Sequence, residues 1–230
     1  VYTHQIIDSK DNDLTTPYAE MFWEKNEFGP ESIWEINADF KPDQNVSIIG
    51  DGNQWCMMNG VRGFPNLGWG HNATSDDLMD DYEANDPRFD ATILENGQSI
   101  DGDVIVASDY KYFNKKTYCP KSERSLYGRA DWCYGYWCNP RIIRYADILL
   151  IHAEAACETN DLDEAKDKLE MVRARARNGL PVLPKITTSD KDELREKIRH
   201  ERRIELALEF ERYFDLVRWG IAKDKIANFV

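Results

Sequence analysis

The chain has 230 residues, with 42 acidic and 29 basic side chains, and its formal net charge is −13 at pH 7. Hydrophobic residues make up 42% and charged residues 31%, a balance typical of folded globular proteins rather than of disordered chains. The negative charge opposes binding to a nucleic-acid backbone, and no apolar run in the sequence is long enough to span a membrane.

The first residues carry no basic stretch followed by an apolar one, so they do not form a secretion signal. Two interpretations follow from this observation. Either the natural protein is intracellular, or the chain begins downstream of its targeting segment.

Residues 1–140 are rich in Gly, Pro, Asn, Asp and aromatic residues, and their hydrophobic periodicities are short. The patterns predict a short helix over 17–27, a strand over 31–40 and a helix over 74–85, with Ser75 as its N-cap. A hairpin or short strand pair is expected within 100–113. The segments 50–70 and 114–140 are predicted to be loops.

Residues 141–222 are predicted to be strongly helical. Apolar residues recur at three- and four-residue steps from Ala146 to Cys157, which predicts an amphipathic helix. Asp161 is placed to cap a second helix and Gly179 to end it, so the two helices form an antiparallel hairpin. A third, continuous helix is expected from Ser189 or Asp190 through Glu211 towards Gly220.

The third helix carries three pairs of opposite charges spaced three residues apart. The pairs are Arg202–Glu205, Glu209–Arg212 and Asp215–Arg218. Because these charges are dense on an apolar segment, we expect some of them to be partly buried.

Three segments of the C-terminal half carry recognisable motifs. They are NPRIIRYADILLIHAEA at 139–155, LEMVRARA at 169–176, and HERRIELALE at 200–209 followed by RYFDLVRWG at 212–220. In this order and spacing they resemble the signature motifs of the SusD/RagB family. The GWG at 68–70 and the DPR at 86–88 resemble a further stretch of that family.

The resemblance implies a mainly α fold, SusD-like, with a tetratricopeptide-type helical hairpin packed against a loop-rich, aromatic-rich region with short strands. Residues 1–140 then form the loop-rich ligand-binding region and residues 141–230 the helical region, the two packing as one domain. Because family members are about twice this long, the secretion signal and the lipid-attachment cysteine are expected in an N-terminal part that precedes this sequence.

The resemblance also implies a function. It implies capture of oligosaccharide or polysaccharide without catalysis, at the outer membrane surface of a Gram-negative cell. The implied partner is a SusC-like TonB-dependent transporter, and membrane association is through the lipid anchor. No catalytic residue, metal site or cofactor is expected.

The family motifs themselves are expected to hold helices together, so candidate ligand residues come from physical chemistry. A sugar ring offers an apolar face edged with hydroxyl groups, and it suits an aromatic platform beside planar polar side chains. Two segments provide this combination. The candidate glycan-binding residues are Trp55, Arg62, Asn66 and Trp69 in the first, and Trp132, Tyr134 and Trp137 in the second. The alternative is that these tryptophans fill a loop-rich core or face the transporter.

Two other functions are weighed against glycan capture. A glycoside hydrolase needs two carboxylates across the sugar, which the acidic run from Asp76 to Glu83 can supply. A helical protein-interaction module predicts an apolar groove along residues 146–178, whereas a sugar binder predicts a surface aromatic cluster beside polar groups. The segments Asp101-Gly102-Asp103 and Asp51-Gly52-Asn53 are interpreted as turns rather than calcium loops.

The five cysteines show no spacing typical of a zinc site. Cys157 lies on the apolar side of the first long helix and is expected to be buried. Cys133 and Cys138 share one aromatic-rich loop and can pair in an oxidising compartment.

Overall fold

The computed structural model describes residues 2–38, 54–64, 67–106, 110–128 and 137–227. This part of the chain is mainly helical, as predicted, and the longest helices lie after residue 141. The helices are α1 (Tyr2–Ser9), α2 (Trp55–Asn59), α3 (Asp76–Asp80), α4 (Arg88–Thr92), α5 (Lys121–Leu126), α6 (Tyr145–Glu158), α7 (Leu162–Arg177), α8 (Lys191–Glu205), α9 (Glu211–Arg218) and α10 (Ala222–Ala227).

Short antiparallel strands link distant parts of the described chain. The strands are β1 (Ser32–Glu35), β2 (Ile93–Glu95), β3 (Ser99–Ile100), β4 (Asp103–Val104), β5 (Tyr112–Asn114) and β6 (Arg141–Arg144). β1 pairs with β6, β2 with β5, and β3 with β4. The β1–β6 pair joins the loop-rich region to the residue that precedes α6. Asp101 and Gly102 form the β3–β4 turn with φ of 47° and 81°, which confirms the turn expected there.

α6 and α7 form the predicted helical hairpin. The Asp161 carboxylate caps α7 by accepting a hydrogen bond from the backbone N–H of Glu164. α7 ends at Asn178, which takes the left-handed conformation with φ of 45°, one residue before the Gly179 expected to end it. Asn tolerates this conformation better than most residues, so it replaces glycine at little cost.

The main hydrophobic core lies between α6, α7 and α8. It contains the fully buried side chains Leu149, Leu150, Leu169, Leu194 and Ile198. Each such side chain contributes about 1.5–3 kcal/mol relative to an exposed one. The expected burial of Cys157 is confirmed, because it belongs to the same core. α1 packs against this core through partly buried isoleucines.

The prediction of one continuous third helix is wrong. The chain forms α8 and α9 instead, separated by a turn over residues 206–210. Leu208 and Phe210 take positive φ values of 65° and 70° in this turn, which costs a non-glycine residue about 1–2 kcal/mol each. Helical periodicity alone gives no sign of such a break.

Ion pairs formed by Glu209 stabilise the turn. Its carboxylate lies 2.8 Å from Nε of Arg144 and 2.6 Å from Nζ of Lys116. Burial alone would raise the pKa of Glu209, but the charges of Arg144 and Lys116 lower it, so the carboxylate stays ionised.

Of the three charge pairs predicted along the third helix, only one is observed in the part of the chain that the structure describes. Asp215 pairs with Arg218, with an N–O distance of 2.8 Å. Arg202 pairs with Asp147 and Asp215 rather than with Glu205. The expectation that some charges are buried is confirmed, because Arg202, Glu205 and Asp215 are all buried.

A network of buried ion pairs joins the loop-rich region to the helices. Nη1 of Arg144 lies 2.7 Å from Oε1 of Glu31 and 2.6 Å from Oε1 of Glu205. Arg175 contacts the same two carboxylates. Burial alone would raise the pKa of Glu205, but its arginine neighbours hold that pKa well below its usual range.

Two predicted elements of the first region are shorter than expected. Residues 17–27 form separate 3-10 turns at Tyr18–Glu20 and Glu24–Asn26 rather than one helix. The Glu123 carboxylate accepts hydrogen bonds from the backbone N–H groups of Glu24 and Lys25, which helical bonds would otherwise use. The strand expected over 31–40 covers only Ser32–Glu35 within the described residues.

The helix expected over 74–85 is observed only as α3. Ser75 stands at its N-cap position, but its side chain makes no capping hydrogen bond. After α3 the chain turns so that Glu83 pairs with Arg173, at 2.7 Å, and Asp86 pairs with Arg88, also at 2.7 Å. These ion pairs replace further helical turns.

Candidate functional site

The glycine-rich segment 67–71 packs closely on α2. The backbone N–H groups of Trp69 and His71 donate to the carbonyl oxygens of Met57 and Met58, at 2.7 and 2.8 Å. Gly68 makes this approach possible, because a Cβ there would lie 2.6 Å from Cα of Gly60. The contact fixes Trp69 at the surface, where 39% of its area is exposed.

Arg62 lies beside this segment. A Cβ at Gly70 would lie 3.0 Å from Cβ of Arg62, so the arginine and Trp69 flank the same glycine. The Trp69 ring stands edge-on to the ring of His71, with centroids 5.7 Å apart. An exposed indole beside an imidazole, with an arginine next to the adjoining glycine, is a combination that suits a sugar ring.

Trp55 connects this surface to the turn between α8 and α9. Its ring meets the ring of Phe210 edge-on, with centroids 4.4 Å apart and planes at 82°. Phe210 is 53% exposed and lines a cavity of about 680 Å³. The volume is within the range of small-molecule sites.

The cavity combines aromatic, aliphatic and polar side chains. Its lining residues are Asn72, Ala73, Thr74, Ser75, Asp77, Leu78, Arg203, Ala207, Leu208, Phe210, Arg212, Tyr213, Leu216, Lys225 and Ile226. Arg203 is neutralised by Asp77 and Asp81. Burial, together with the charge of Arg203, lowers the pKa of Arg212, but an arginine side chain stays protonated in proteins.

Three of the seven residues selected from the sequence lie near one helix of the structure. Trp55, Arg62 and Trp69 all lie on or against α2. Asn66, Trp132 and Tyr134 lie outside the described residues. Trp137 is only 2% exposed and packs with Cys56 and Cys138. Its ring faces are therefore closed to a ligand in this structure. This agrees with the alternative interpretation, in which the tryptophan fills the core.

Sequence reasoning missed the contribution of the 206–213 segment. Helical periodicity predicts a continuous helix through Phe210, Arg212 and Tyr213, whereas in the structure all three line the cavity after the turn that ends α8. The signal was present in the aromatic and cationic residues that follow one another there, but the family motif accounts for the same residues structurally.

The acidic run considered for a hydrolase makes structural contacts. Asp77 and Asp81 both pair with Arg203, and Glu83 pairs with Arg173. The hydrogen bond from Arg173 lowers the pKa of Glu83, which makes this carboxylate unsuited to act as a general acid.

Helices α6 and α7 expose little apolar surface. Ile151 and Met171 are the large hydrophobic side chains exposed on them, and most of the others lie in the core with α8. The apolar groove expected of a helical interaction module over 146–178 is therefore not formed by these residues. In the described part of the chain, no helix is both long and apolar enough to cross a membrane.

Three groups of side chains in the described residues are close enough to share a metal ion. They are Cys56, Cys119 and Cys138; His4, His152 and Glu164; and Glu83, His200 and Glu201. In the second group His152 contacts Thr3 and Glu164, and in the third both glutamates pair with Arg173. The cysteine group is considered separately below.

Comparison with known proteins identifies the family. The model of the SusD family matches residues 30–229. The chain belongs to the SusD family. A SusD-like protein of Formosa agariphila, P25, is 26% identical over 97% of this chain and 46% of its own length. A SusD-like protein of Bacteroides ovatus is 26% identical over 99% of this chain and 41% of its own length.

A solved structure that is similar to this chain carries a bound sugar. It is surface glycan-binding protein A from Bacteroides thetaiotaomicron in complex with laminarihexaose. That protein is 26% identical to this chain, with a TM-score of 0.73 over 96% of this chain and 49% of the other. The likeness confirms the SusD-like fold. The chain spans less than half the length of the two curated relatives named above.

Proposed function

We propose that this SusD-family chain binds oligosaccharide or polysaccharide without catalysis, at the outer membrane surface of a Gram-negative cell. The captured glycan is delivered to a SusC-like TonB-dependent transporter, and a lipid anchor in an N-terminal part of the protein holds it at the membrane. Residues 1–140 form the loop-rich binding region with the candidate tryptophans, and residues 141–230 pack with it as one domain and supply Phe210 and other residues of the cavity lining.

The observation that carries this proposal is the pair of aromatic contacts made by Trp55 on α2 and by Trp69 in the segment packed on α2. Trp55 meets Phe210 at the cavity lining, and Trp69 stands beside Arg62 and His71. Apolar ring faces next to amide, hydroxyl and guanidinium groups match the two kinds of surface of a sugar. The relative solved with laminarihexaose supports the same class of ligand.

The remaining candidates from the sequence complete the proposal. Trp132 and Tyr134 lie between Leu126 of α5 and Trp137, and we propose that they extend the aromatic surface. Asn66 lies two residues from Gly68 and is proposed to add an amide beside Trp69.

The test is isothermal titration of the chain with laminarihexaose and with a panel of soluble polysaccharides. Trp55→Ala and Trp69→Ala are each expected to weaken binding about tenfold, equivalent to about 1.4 kcal/mol. Trp34→Ala is the matched control, because Trp34 is 55% exposed on β1, outside the α2 region that carries Trp55 and Trp69. Equal weakening by all three variants, or unchanged binding in Trp55→Ala and Trp69→Ala, would contradict the proposed surface.

A further inference from the structure

Three cysteine side chains meet at one point of the described structure. The Sγ atoms of Cys56, Cys119 and Cys138 all lie within 4.8 Å of one another, and those of Cys119 and Cys138 are 3.0 Å apart. Cys56 and Cys138 are buried, whereas Cys119 is partly exposed. We propose that Cys119 and Cys138 form a disulfide bond, with Cys56 retained as a thiol beside it.

The geometry favours a disulfide over a metal site. Two thiolates on one tetrahedral zinc ion lie about 3.8 Å apart when each Zn–S bond is about 2.3 Å. The observed 3.0 Å between Cys119 and Cys138 is shorter than this separation. Among the described residues, no histidine or carboxylate joins the three thiols. Arg124 and Arg141 act electrostatically on Cys119, and these cations oppose the approach of another cation.

In the proposed formation of the disulfide, Cys119 is the cysteine that reacts first. Hydrogen bonds from Cys138 and Cys56 lower the pKa of the Cys119 thiol, and the two nearby arginines lower it further. A low pKa and partial exposure are the properties of an attacking thiolate. The lowered pKa therefore agrees with the burial of the three cysteines, because Cys119 is also the one that is partly exposed.

The oxidant is the disulfide of a thiol-oxidase protein. The Cys119 thiolate attacks one sulfur of that disulfide, forms a mixed disulfide and releases the first oxidase thiolate. The Cys138 thiolate then attacks the Cys119 sulfur and releases the second. Two cysteine thiols thus lose two protons and two electrons, and the oxidase disulfide gains both as two thiols.

The bond would fix the ends of one segment next to α2. Residues 119 and 138 bracket Trp132, Tyr134 and Trp137 in the sequence. Trp137 and Cys138 pack against Cys56, the residue that follows Trp55. This consequence rests on the proposed function in one respect, since a cell-surface location supplies the oxidising compartment.

The test uses the full chain treated with oxidised glutathione. We expect the mass of the intact chain to fall by about 2 Da. In a digest made without reductant, the peptide that contains Cys119 should be linked to the peptide that contains Cys138. Cys56 should be alkylated only after denaturation. Cys119→Ser and Cys138→Ser should each abolish the mass change. Cys157→Ser is the control and should retain it, because Cys157 lies in the separate helical core.

Thermal unfolding gives a second readout. Dithiothreitol should lower the Tm of the wild-type chain by roughly 6–12 °C and leave the Cys119→Ser/Cys138→Ser double variant unchanged. Free alkylation of both cysteines, a Cys133–Cys138 or Cys56–Cys119 link, or one equivalent of zinc by elemental analysis would overturn the assignment. Glycan titration is measured separately, so loss of the proposed function is distinguishable from loss of the disulfide.

Discussion

Arg144 and Glu205 face each other in the interior, with Nη1 of the arginine 2.6 Å from Oε1 of the glutamate. Arg144 precedes α6 and Glu205 is the last residue of α8, so the pair ties the two helices together where β1 and β6 meet. Both residues belong to the motifs that carry the family resemblance. These two motif residues therefore contribute to a buried charge network.

The first prediction concerns removal of one charge from this network. Glu205→Gln removes one of the two buried carboxylates that Arg144 and Arg175 share, leaving Glu31 as the other. Because part of the buried positive charge is then uncompensated, we expect a loss of about 3–5 kcal/mol in the free energy of unfolding. Urea denaturation at pH 7 measures it. Glu158→Gln is the control, because Glu158 forms an exposed pair with Arg195, and a change within about 1 kcal/mol is expected there.

The same carboxylate makes stability depend on acid. The folded-state pKa of Glu205 lies well below its unfolded value, near 4.5. Its contribution is therefore present above about pH 4.5 and is lost as pH falls below that value. Glu205→Gln should accordingly show a shallower loss of stability between pH 5 and pH 3 than the wild type, and a parallel profile would contradict the assigned role.

The second prediction concerns the close packing beneath Trp69. An alanine Cβ at position 68 would lie 2.6 Å from the Gly60 Cα and 2.6 Å from the Met57 carbonyl oxygen. Both contacts are with backbone, so the segment must shift. Gly68→Ala should cost about 1–3 kcal/mol of stability and weaken glycan binding through the displaced Trp69. Denaturation and titration of the same sample measure the two effects.

Gly97→Ala is the matched control for this substitution. Gly97 has φ of 91°, and no other heavy atom lies within 4 Å of its added Cβ. It should lose about 1–2 kcal/mol from backbone strain alone and keep its affinity for the glycan. Weakened binding in Gly97→Ala would show that lost stability, rather than the position of Trp69, controls the affinity.

The helical half could be predicted because its signals are local. The periodicity from Ala146, the cap at Asp161 and the end of α7 near Gly179 all depend on residues within a few positions of one another. The break at Leu208 and Phe210 could not be predicted in this way. It is stabilised by ion pairs of Glu209 with Arg144 and Lys116, residues far away in the sequence.

In the candidate site, too, local sequence signals could be predicted and contacts between distant residues could not. Aromatic residues beside glycines and polar groups suit a sugar, which makes Trp55 and Trp69 candidates, and both lie in or against α2. Trp137 met the same composition rule but is buried. Phe210 was missed, because only the tertiary turn brings it to Trp55. Composition identifies candidates, whereas exposure depends on contacts between distant segments.

The third prediction concerns the attachment of α1. Nδ1 of His152 lies 2.9 Å from Oγ1 of Thr3, and Nε2 lies 3.2 Å from Oε1 of Glu164. Burial, together with His4, lowers the pKa of His152 below its ordinary value of 6.5. The unfolded state therefore binds the proton more readily, and the stability from neutral His152 is lost as pH falls below about 6.5.

Hydrogen exchange of the amides in residues 2–9 measures this effect. Protection should decrease between pH 7.5 and pH 5.5, after correction for the intrinsic rate, and His152→Gln should remove the decrease. His71→Gln is the control, because His71 lies beside Trp69, away from α1. An equal decrease in wild type and His152→Gln would rule out His152 as the titrating group.

The last prediction separates the ligand role of Phe210 from its role in the fold. Phe210 takes φ of 70°, a conformation that Asn adopts more readily. Phe210→Asn therefore relieves about 1 kcal/mol of backbone strain while losing an edge-to-face contact with Trp55 worth about 0.5–1.5 kcal/mol. Stability should change by less than about 1 kcal/mol. Binding to the glycan found by titration should weaken about fivefold, because the cavity lining loses its ring. Phe214→Asn is the matched control, since Phe214 is 65% exposed on α9 and does not line the cavity. Titration measures the affinity of both variants and urea denaturation measures their stability. Weaker glycan binding by Phe214→Asn, or unchanged binding by Phe210→Asn, would place the sugar elsewhere.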